Sequence, residues 1–151
     1  MTPELRHVCD IETDVGPIRD LGATPHGQRR IVQILGGPVN GPGLEGNVLP
    51  GGADWQIVRG DGVIELEARY SILAKDGTEI AAINRGLRHA PPEIMERMAR
   101  GEAVDAALVY CRTVLQFEAP AGAYDWLNRS LFVCAVTRLP AKVQVRVFEV
   151  L

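Results

Sequence analysis

The stretch from Gly36 to Gln56 restricts the fold of this chain more than any other. Its sequence, GGPVNGPGLEGNVLPGGADWQ, holds seven glycines and three prolines and includes an adjacent acid and indole, Asp54 and Trp55. A helix is excluded here, because each interior glycine costs up to about 1 kcal/mol and each proline about 3 kcal/mol. Glycine permits positive φ and close backbone approach, whereas proline fixes φ. The stretch therefore predicts sharply turning backbone that brings one acid and one indole to a defined place.

The segment Val63–Leu73 predicts a β-strand with one buried face. Apolar and polar residues alternate strictly, and only an extended strand can use that period to bury one side. The turn sequence Asp76-Gly77 that follows predicts a tight hairpin. The buried face would carry Ile64, Leu66, Ala68, Tyr70 and Ile72, and the exposed face Glu65, Glu67, Arg69 and Ser71.

Short apolar runs between turn residues predict strands along the rest of the chain. One helix is indicated at Pro91–Arg100, where two prolines begin it and Gly101 ends it. The segment Asp14–Gln28 is predicted to be a long excursion, because it is interrupted by glycine and proline. The further strands are predicted at Leu5–Thr13, Arg29–Leu35, Leu44–Leu49, Asp54–Arg59, Thr78–Arg85, Ala107–Glu118, Leu131–Leu139 and Lys142–Val150.

These elements predict an all-β, mainly antiparallel fold in one domain over residues 1–151, with one short helix near residues 91–100. A lone late helix does not give the repeated strand-helix-strand pattern of a parallel sheet. We expect a closed or nearly closed barrel of about eight to ten strands. The even face of Leu108–Glu118 mixes apolar and polar groups, which is typical of a small barrel that holds a ligand. A partly covered outer surface is the alternative for that face.

Charge and hydropathy limit the classes of partner. The net charge of −3 argues against binding nucleic acid through phosphate neutralisation. No stretch approaches the roughly 20 apolar residues of a membrane helix, and no signal peptide is visible, so we expect a cytoplasmic protein without a membrane partner. The cysteines Cys9, Cys111 and Cys134 are widely spaced and are expected to be reduced, buried thiols.

No motif for a metal, a nucleotide or a catalytic nucleophile is present. The glycine-rich stretch lacks GK[ST], and no GxSxG occurs. The three histidines, His7, His26 and His89, are far apart, without zinc-ligand spacing. We therefore expect neither a metal nor a cofactor, and acid–base or polar binding chemistry remains.

Five blocks in this sequence resemble an uncharacterised family of small bacterial and fungal proteins known as a domain of unknown function. The likeness runs from about Gly22 to Leu151, and its most specific part is LPGGADWQ. It implies a closed antiparallel β-barrel that often assembles as an oligomer, and it implies no agreed activity. Cys111 replaces the aromatic residue usual in the family. The blocks are GGPVNGPGLEGNVLPGGADWQIVR, ELEARYSILAKDGTEI, NRGLRH, VYCRT and YDWLNRSLFV.

Two residues are candidates for catalysis. Asp54 follows two glycines, and burial beside Trp55 would raise its pKa and suit it to proton transfer; capping a turn is the alternative. Arg112, on the mixed face, would bind a substrate carboxylate in bidentate fashion. The candidate ligand-binding residues are Trp55, Arg69, Tyr110, Glu118, Trp126 and Asn128, partly carried over from the resemblance.

Each ligand-binding candidate has a structural alternative. Trp55 would otherwise pack in the core, and Arg69 would lie on a solvated face beside its glutamates. Trp126 and Asn128 would otherwise form a corner packed on the barrel. These alternatives stay open at the level of sequence.

The sequence thus predicts a barrel that binds a compact oxygenated or carboxylated metabolite. It could be a cofactor-independent isomerase, lyase or lactone hydrolase with Asp54 as acid or base. The alternative is a non-catalytic oligomeric scaffold whose interface is the odd face of Leu108–Glu118 together with the hairpin Leu131–Val150. Both predictions allow a homo-oligomer.

Overall fold

The computed structural model describes residues 1–151 as nine β-strands and one α-helix. Two short 3-10 helices, Ala106–Leu108 and Asp125–Arg129, flank the seventh strand. The strands are β1 (Leu5–Thr24), β2 (Gly27–Asn40), β3 (Gly46–Val48), β4 (Gly52–Val58), β5 (Ile64–Ala74), β6 (Glu79–His89), β7 (Tyr110–Glu118), β8 (Leu131–Arg138) and β9 (Lys142–Val150), and the helix is α1 (Pro92–Ala99).

The strands close into a ring. From β4 to β9, each strand pairs with the next strand in the chain, including β6 with β7, which the helix separates in sequence. β1 pairs with both β9 and β2. Pairing of β2 with β4 completes an eight-stranded circuit, and three-residue β3 lies between β2 and β5. All pairings are antiparallel, so the predicted closed antiparallel barrel with one short helix is confirmed.

The segment Asp14–Gln28 is strand rather than the predicted excursion. β1 runs on to Thr24 and forms a long hairpin with β2. Its register against β2 shifts at three places, between Asp14 and Val15, Val15 and Ile18, and Asp20 and Gly22. Bulges of this kind accommodate glycine and proline in a strand that still pairs. The glycine and proline content was therefore a signal for bulges and not for a loop.

An apolar core fills one part of the barrel. Ile72, Ile80, Leu115, Phe132 and Val147 point inwards from five different strands and are fully buried. The Phe117 ring meets the edge of Phe132 at a centroid distance of 5.0 Å. This packing fills the part of the barrel interior that these five residues line. The other inward-pointing side chains surround a cavity.

The prediction for the two faces of β7 is reversed by the structure. Cys111, Thr113, Leu115 and Phe117 are buried inside the barrel, so the odd face is core and cannot serve as the predicted subunit interface. The mixed even face lies outside, where Val114 is 55% exposed. Apolar groups on an outer strand surface are common, because polar atoms do not cover the whole surface of a folded protein. Homo-oligomerisation stays a prediction.

Helix α1 crosses the end of the barrel opposite the apolar core. Ile94 is buried, while Met95 and Met98 line a groove between the helix and the barrel rim. Pro91 precedes the helix, Pro92 is its first residue, and Gly101, at φ +78°, lies just beyond its C-terminal end. None of the helices has the length and apolar character required to span a bilayer.

Replacing Gly46 by alanine is expected to lower the free energy of unfolding by about 2 kcal/mol. A Cβ at this position would overlap the Leu73 carbonyl oxygen and lie 2.8 Å from Cα of Ala74, because β3 is pressed against β5. Urea unfolding measures the change. Gly60→Ala is the matched control, since a Cβ there meets nothing within 4 Å. Equal effects of the two substitutions would contradict the close-packing explanation.

Candidate functional site

A cavity lined by apolar and polar side chains lies inside the barrel between the apolar core and helix α1. Its volume is about 70 Å³. Aliphatic side chains from the core form its floor, and polar side chains from six strands form much of its wall. The polar lining residues are Thr13, Asp54, Gln56, Tyr70, Asn84, Arg88, Thr113 and Arg138.

Strand alternation explains how these polar groups enter the barrel. Along β6 the inward positions run from Ile80 and Ala82 in the core to Asn84 and then Arg88 near the rim. β8 shows the same progression, from Phe132 in the core to Arg138 at the rim. Inward residues therefore change from apolar to cationic along the barrel axis.

Asp54 is held in the wall of the cavity by two hydrogen bonds. Gln56 Nε2 donates to Asp54 Oδ2 at 2.8 Å, and the backbone N–H of Glu67 donates to Oδ1 at 3.1 Å. Arg30 in turn donates to Gln56 Oε1 at 2.7 Å. Burial raises the pKa of Asp54 above its usual range, although these hydrogen bonds and Arg88 act in the opposite direction.

Three arginines surround this single acid without forming ion pairs. Arg88 is only 7% exposed, and no carboxylate lies within 4.0 Å of it or of Arg30 or Arg138. Burial lowers the pKa of each guanidinium, and Arg88 further lowers the pKa values of Arg30 and Arg138 by charge repulsion. Arginine nevertheless stays protonated in proteins. The site is therefore cationic.

Every buried side-chain nitrogen or oxygen without a hydrogen-bond partner belongs to this region of the protein. Buried polar groups are almost always paired, since an unpaired one costs about 1–3 kcal/mol. Concentration of all such atoms around one cavity distinguishes it from a structural core. They are Arg30 Nε, Tyr70 OH, Asn84 Oδ1, Arg88 Nε, Thr113 Oγ1 and Arg138 NH1.

The cavity lies beside the groove beneath helix α1. Val15, Arg88 and Arg138 line both the cavity and this groove, which has a volume of about 540 Å³. Arg30 lies in the groove wall. Arg88 and Arg138 therefore form part of the wall of both spaces.

Of the predicted site residues, Asp54 alone lines the cavity. Trp55 points outwards from β4 and is 48% exposed, with the Arg29 guanidinium carbon 5.9 Å from its ring centroid. The acid and the indole point in opposite directions because neighbouring residues of a strand alternate. Arg69 is likewise outside, 3.7 Å from Glu67, so the solvated-face alternative is the one observed.

The outer face of β7 carries Arg112, Tyr110 and Glu118, so the prediction that these side chains line the ligand site is corrected. The Arg112 guanidinium carbon lies 5.7 Å from the Tyr110 ring centroid, and NH1 donates to the carbonyl of Cys111. Glu118 is exposed at the end of the strand. Cys111 points inwards and its neighbours Tyr110 and Arg112 point outwards, because consecutive side chains of a strand alternate between its two faces.

Trp126 and Asn128 form a structural corner at the apolar end. Trp126 packs on Phe132 with ring centroids 6.0 Å apart. Asn128 accepts a hydrogen bond from Ala119 N at 2.8 Å and donates one to Ala119 O at 2.9 Å. Neither residue lines the cavity, so both have the structural role of a packed corner instead of the predicted role in ligand binding.

Sequence reasoning missed the arginines and amides of the cavity. Arg88 follows Arg85, where the predicted strand ended, whereas β6 continues to His89. Counting in twos from Ile80 would have placed Asn84 and Arg88 on the inner face. Tyr70 was already on the predicted buried face, and its hydroxyl was the signal that this face is not wholly apolar.

The three thiols are buried in the barrel wall, as expected. Burial raises the pKa of Cys111 to about 11 and those of Cys9 and Cys134 to about 12. Thiols that stay protonated at neutral pH are poor nucleophiles. No group of three or more His, Cys, Asp or Glu side chains is arranged to hold a metal ion.

The fold and this cavity define an eight-stranded antiparallel β-barrel with buried arginines at an internal cavity. The chain belongs to the DUF3237 family of proteins of unknown function, which it matches over residues 3–150. The family resemblance seen in the sequence is thereby confirmed.

Relatives of known structure share the whole architecture. The chain is 41% identical over 153 residues to the UPF0311 protein RPA1785 of Rhodopseudomonas palustris, with all of each chain covered. The crystal structure of RPA1785, a conserved protein of unknown function, has a TM-score of 0.94 and covers 100% of this chain and 99% of that one. A β-barrel-like protein from Acinetobacter baumannii has a TM-score of 0.87 at 32% identity, covering 100% and 98%. An enzyme from Penicillium herquei shows the fold alone, with a TM-score of 0.75 at 18% identity, covering 100% and 96%.

Proposed function

We propose that the barrel binds a compact organic anion of the carboxylate class and that Asp54 transfers a proton to or from it. The observation that supports this proposal is the group of three arginines at one cavity, each with a buried guanidinium nitrogen that has no hydrogen-bond partner. Buried donors without protein partners are available to a ligand at no cost in broken protein hydrogen bonds. A stable scaffold gains nothing from such groups.

The sign of the ligand charge follows from the lining. Arg88 and Arg138 line the cavity together with one carboxylate, Asp54. Even with Asp54 ionised, one net positive charge remains in a low-dielectric interior, where charges interact strongly. A planar guanidinium binds a carboxylate through two parallel hydrogen bonds, which adds geometric selectivity. An anion therefore complements the site, and a cation would be repelled.

The volume sets the size of the buried part of the ligand. About 70 Å³ holds roughly five water molecules, at about 10–15 Å³ of cavity for each. A carboxylate with two or three further heavy atoms has a similar bulk. The Asn84 side chain in the cavity wall additionally suits a hydroxyl group on that ligand.

Asp54 supplies the acid–base group of the proposal. Its raised pKa brings protonated and ionised forms closer to equal populations near neutral pH. Each carboxylate oxygen accepts one hydrogen bond and keeps a lone pair for a ligand proton. The nearby guanidinium groups would stabilise negative charge that develops on the ligand. The Penicillium herquei protein is an enzyme, so a barrel of this kind is compatible with catalysis.

Comparing small acids with their neutral amides tests the binding proposal. We expect acetate, glycolate and pyruvate to bind and to raise the midpoint of thermal unfolding, whereas acetamide of similar shape has no effect. Isothermal titration calorimetry at constant ionic strength measures the affinities, with sodium chloride as the matched salt. Equal responses to acetate and acetamide would contradict a cationic binding site.

A further inference from the structure

The groove beneath helix α1 carries more positive charge than one carboxylate balances. Arg30, Arg88 and Arg138 all line it, and Glu102 is the one acid in its wall. We propose that the ligand is a dicarboxylate whose first carboxylate binds to Arg88 and Arg138 and whose second binds to Arg30. This inference rests on the proposed function, because Arg88 and Arg138 line both the groove and the cavity.

The three guanidinium groups come from three strands and lie near one another in the groove wall. Burial is the main cause that lowers the pKa of Arg30 and of Arg138, and charge repulsion from Arg88 adds to it. Like charges at short range raise the free energy of the unliganded protein, and an anion between them relieves the repulsion. One small molecule can therefore contact more than one guanidinium group.

The acids beside these arginines have other partners. Glu102 pairs with Arg100 at 2.8 Å. Asp20, which acts on Arg30 through space, accepts a hydrogen bond from Gln28 Nε2 at 2.6 Å. Even with the charge of Glu102 counted in full, two positive charges remain in the groove wall. A ligand with two negative charges balances them, whereas a monocarboxylate leaves one of them without a partner.

Arg30 is the arginine that belongs to the groove alone. It does not line the cavity, whereas Arg88 and Arg138 line both spaces. Its NH2 donates to Gln56 Oε1 at 2.7 Å, which orients the side chain, and its Nε has no hydrogen-bond partner. A guanidinium group has five N–H donors in a fixed plane, and two parallel ones match a carboxylate. Arg30 is therefore suited to a second carboxylate.

The sizes of the two spaces agree with this assignment. The cavity of about 70 Å³ has room for one carboxylate with two or three further heavy atoms, so a second carboxylate does not fit in it. The groove has a volume of about 540 Å³, which is within the usual range of small-molecule sites. The second carboxylate therefore lies in the groove, where Arg30 is.

Comparing dicarboxylates with their monomethyl esters tests this inference. Malonate, succinate and glutarate hold their carboxylates at increasing separations, and each ester keeps the chain length while removing one charge. We expect at least one of the three to bind about ten-fold or more tightly than its ester, because a hydrogen bond to a charged group contributes at least that factor. Isothermal titration calorimetry at constant ionic strength measures this ratio of affinities.

Substitutions that remove one charge locate the second carboxylate. Arg30→Gln keeps an N–H donor for Gln56, and we expect the ratio of affinities to fall close to one. Arg29→Gln is the matched control and should leave the ratio unchanged, because Arg29 lies against the outward-pointing Trp55. Glu102→Gln removes the acid from the groove wall and should raise the ratio by about two-fold, as expected of a surface charge. Circular dichroism verifies that each variant is folded.

The possible results distinguish this inference from the proposed function. Binding of acetate, with no dicarboxylate bound more tightly than its ester, would overturn the dicarboxylate ligand and leave the proposed function intact. A ratio unchanged by Arg30→Gln would place the second carboxylate elsewhere and also overturn it. If Arg30→Gln does not fold, a ratio unchanged by Glu102→Gln has the same meaning. Failure of every carboxylate to bind would overturn the proposed function, and this inference with it.

Discussion

Replacing Arg88 by methionine is expected to weaken pyruvate binding by at least about 30-fold while stabilising the folded protein. Loss of a buried charged partner costs about 2–5 kcal/mol in binding, which corresponds to this factor or more. Arg88 is 7% exposed and has no carboxylate partner, so its burial is unfavourable to folding. An apolar side chain of similar length removes that cost, and we expect the free energy of unfolding to rise by about 1 kcal/mol or more.

Calorimetry and urea unfolding of the same preparations measure both effects. Arg85→Met is the matched control, because Arg85 lies on the same strand, points outwards and pairs with Glu67 at 3.2 Å. That change should leave binding intact and alter stability by no more than about 0.5 kcal/mol. If Arg88→Met bound pyruvate normally, the arginine would have no role in recognition.

Replacing Asp54 by asparagine is expected to slow proton exchange on a bound 2-oxo acid by about 10²-fold or more. The Asp54 carboxylate would take a proton from the carbon beside the carbonyl of pyruvate, and the electron pair of that C–H bond would form an enolate beside the guanidinium groups. A deuteron from heavy water would then return to carbon. The rate of deuterium incorporation into the methyl group is measured by NMR.

Asparagine preserves the shape of the side chain, so loss of exchange would report loss of the base. Asp61→Asn, at an exposed turn, is the control and should leave exchange unaffected. Absence of exchange in the unmodified protein, despite measurable binding of pyruvate, would refute the catalytic part of the proposal.

The free energy of unfolding of the same Asp54→Asn variant, measured against pH, also tests the raised pKa of Asp54. The folded protein binds the Asp54 proton more tightly than the unfolded chain does. The stability that protonated Asp54 contributes is therefore complete below the ordinary aspartate pKa of 3.8 and is lost as pH rises through the raised value. Relative to the unmodified protein, Asp54→Asn should gain stability as the pH rises above the ordinary aspartate pKa of 3.8 and through the raised value. A difference that does not change with pH would contradict a raised pKa.

The fold was largely predictable because its main signals are local. The alternation over Val63–Leu73 and the turn at Asp76-Gly77 depend on residues close together in the chain, and both elements form as predicted. The hairpin of β1 with β2 was missed because bulges accommodate the glycine and proline residues of Asp14–Gln28. A bulge is stabilised by the strand beside it, which the local sequence does not identify.

The candidate site was less predictable because it depends on which face of each strand turns inwards. Asp54 was found through its glycine-rich approach, and Gly52 does pack with its Cα against β5. Arg112 was selected in place of Arg88 and Arg138, because the apolar groups on the outer face of β7 resemble a ligand-binding lining. Closure of the ring decides between these two faces.

Composition and period by themselves determined an antiparallel, strand-rich chain with one late helix, since hydrophobic alternation and turn residues act over a few positions. Tertiary structure alone decided that Asn84, Arg88 and Arg138 meet Asp54 in one enclosed space. These residues come from three strands that are far apart in the chain, and only the curvature and register of the closed barrel bring them together. Their chemistry arises from shared burial, which strengthens each charge and which no single strand can supply.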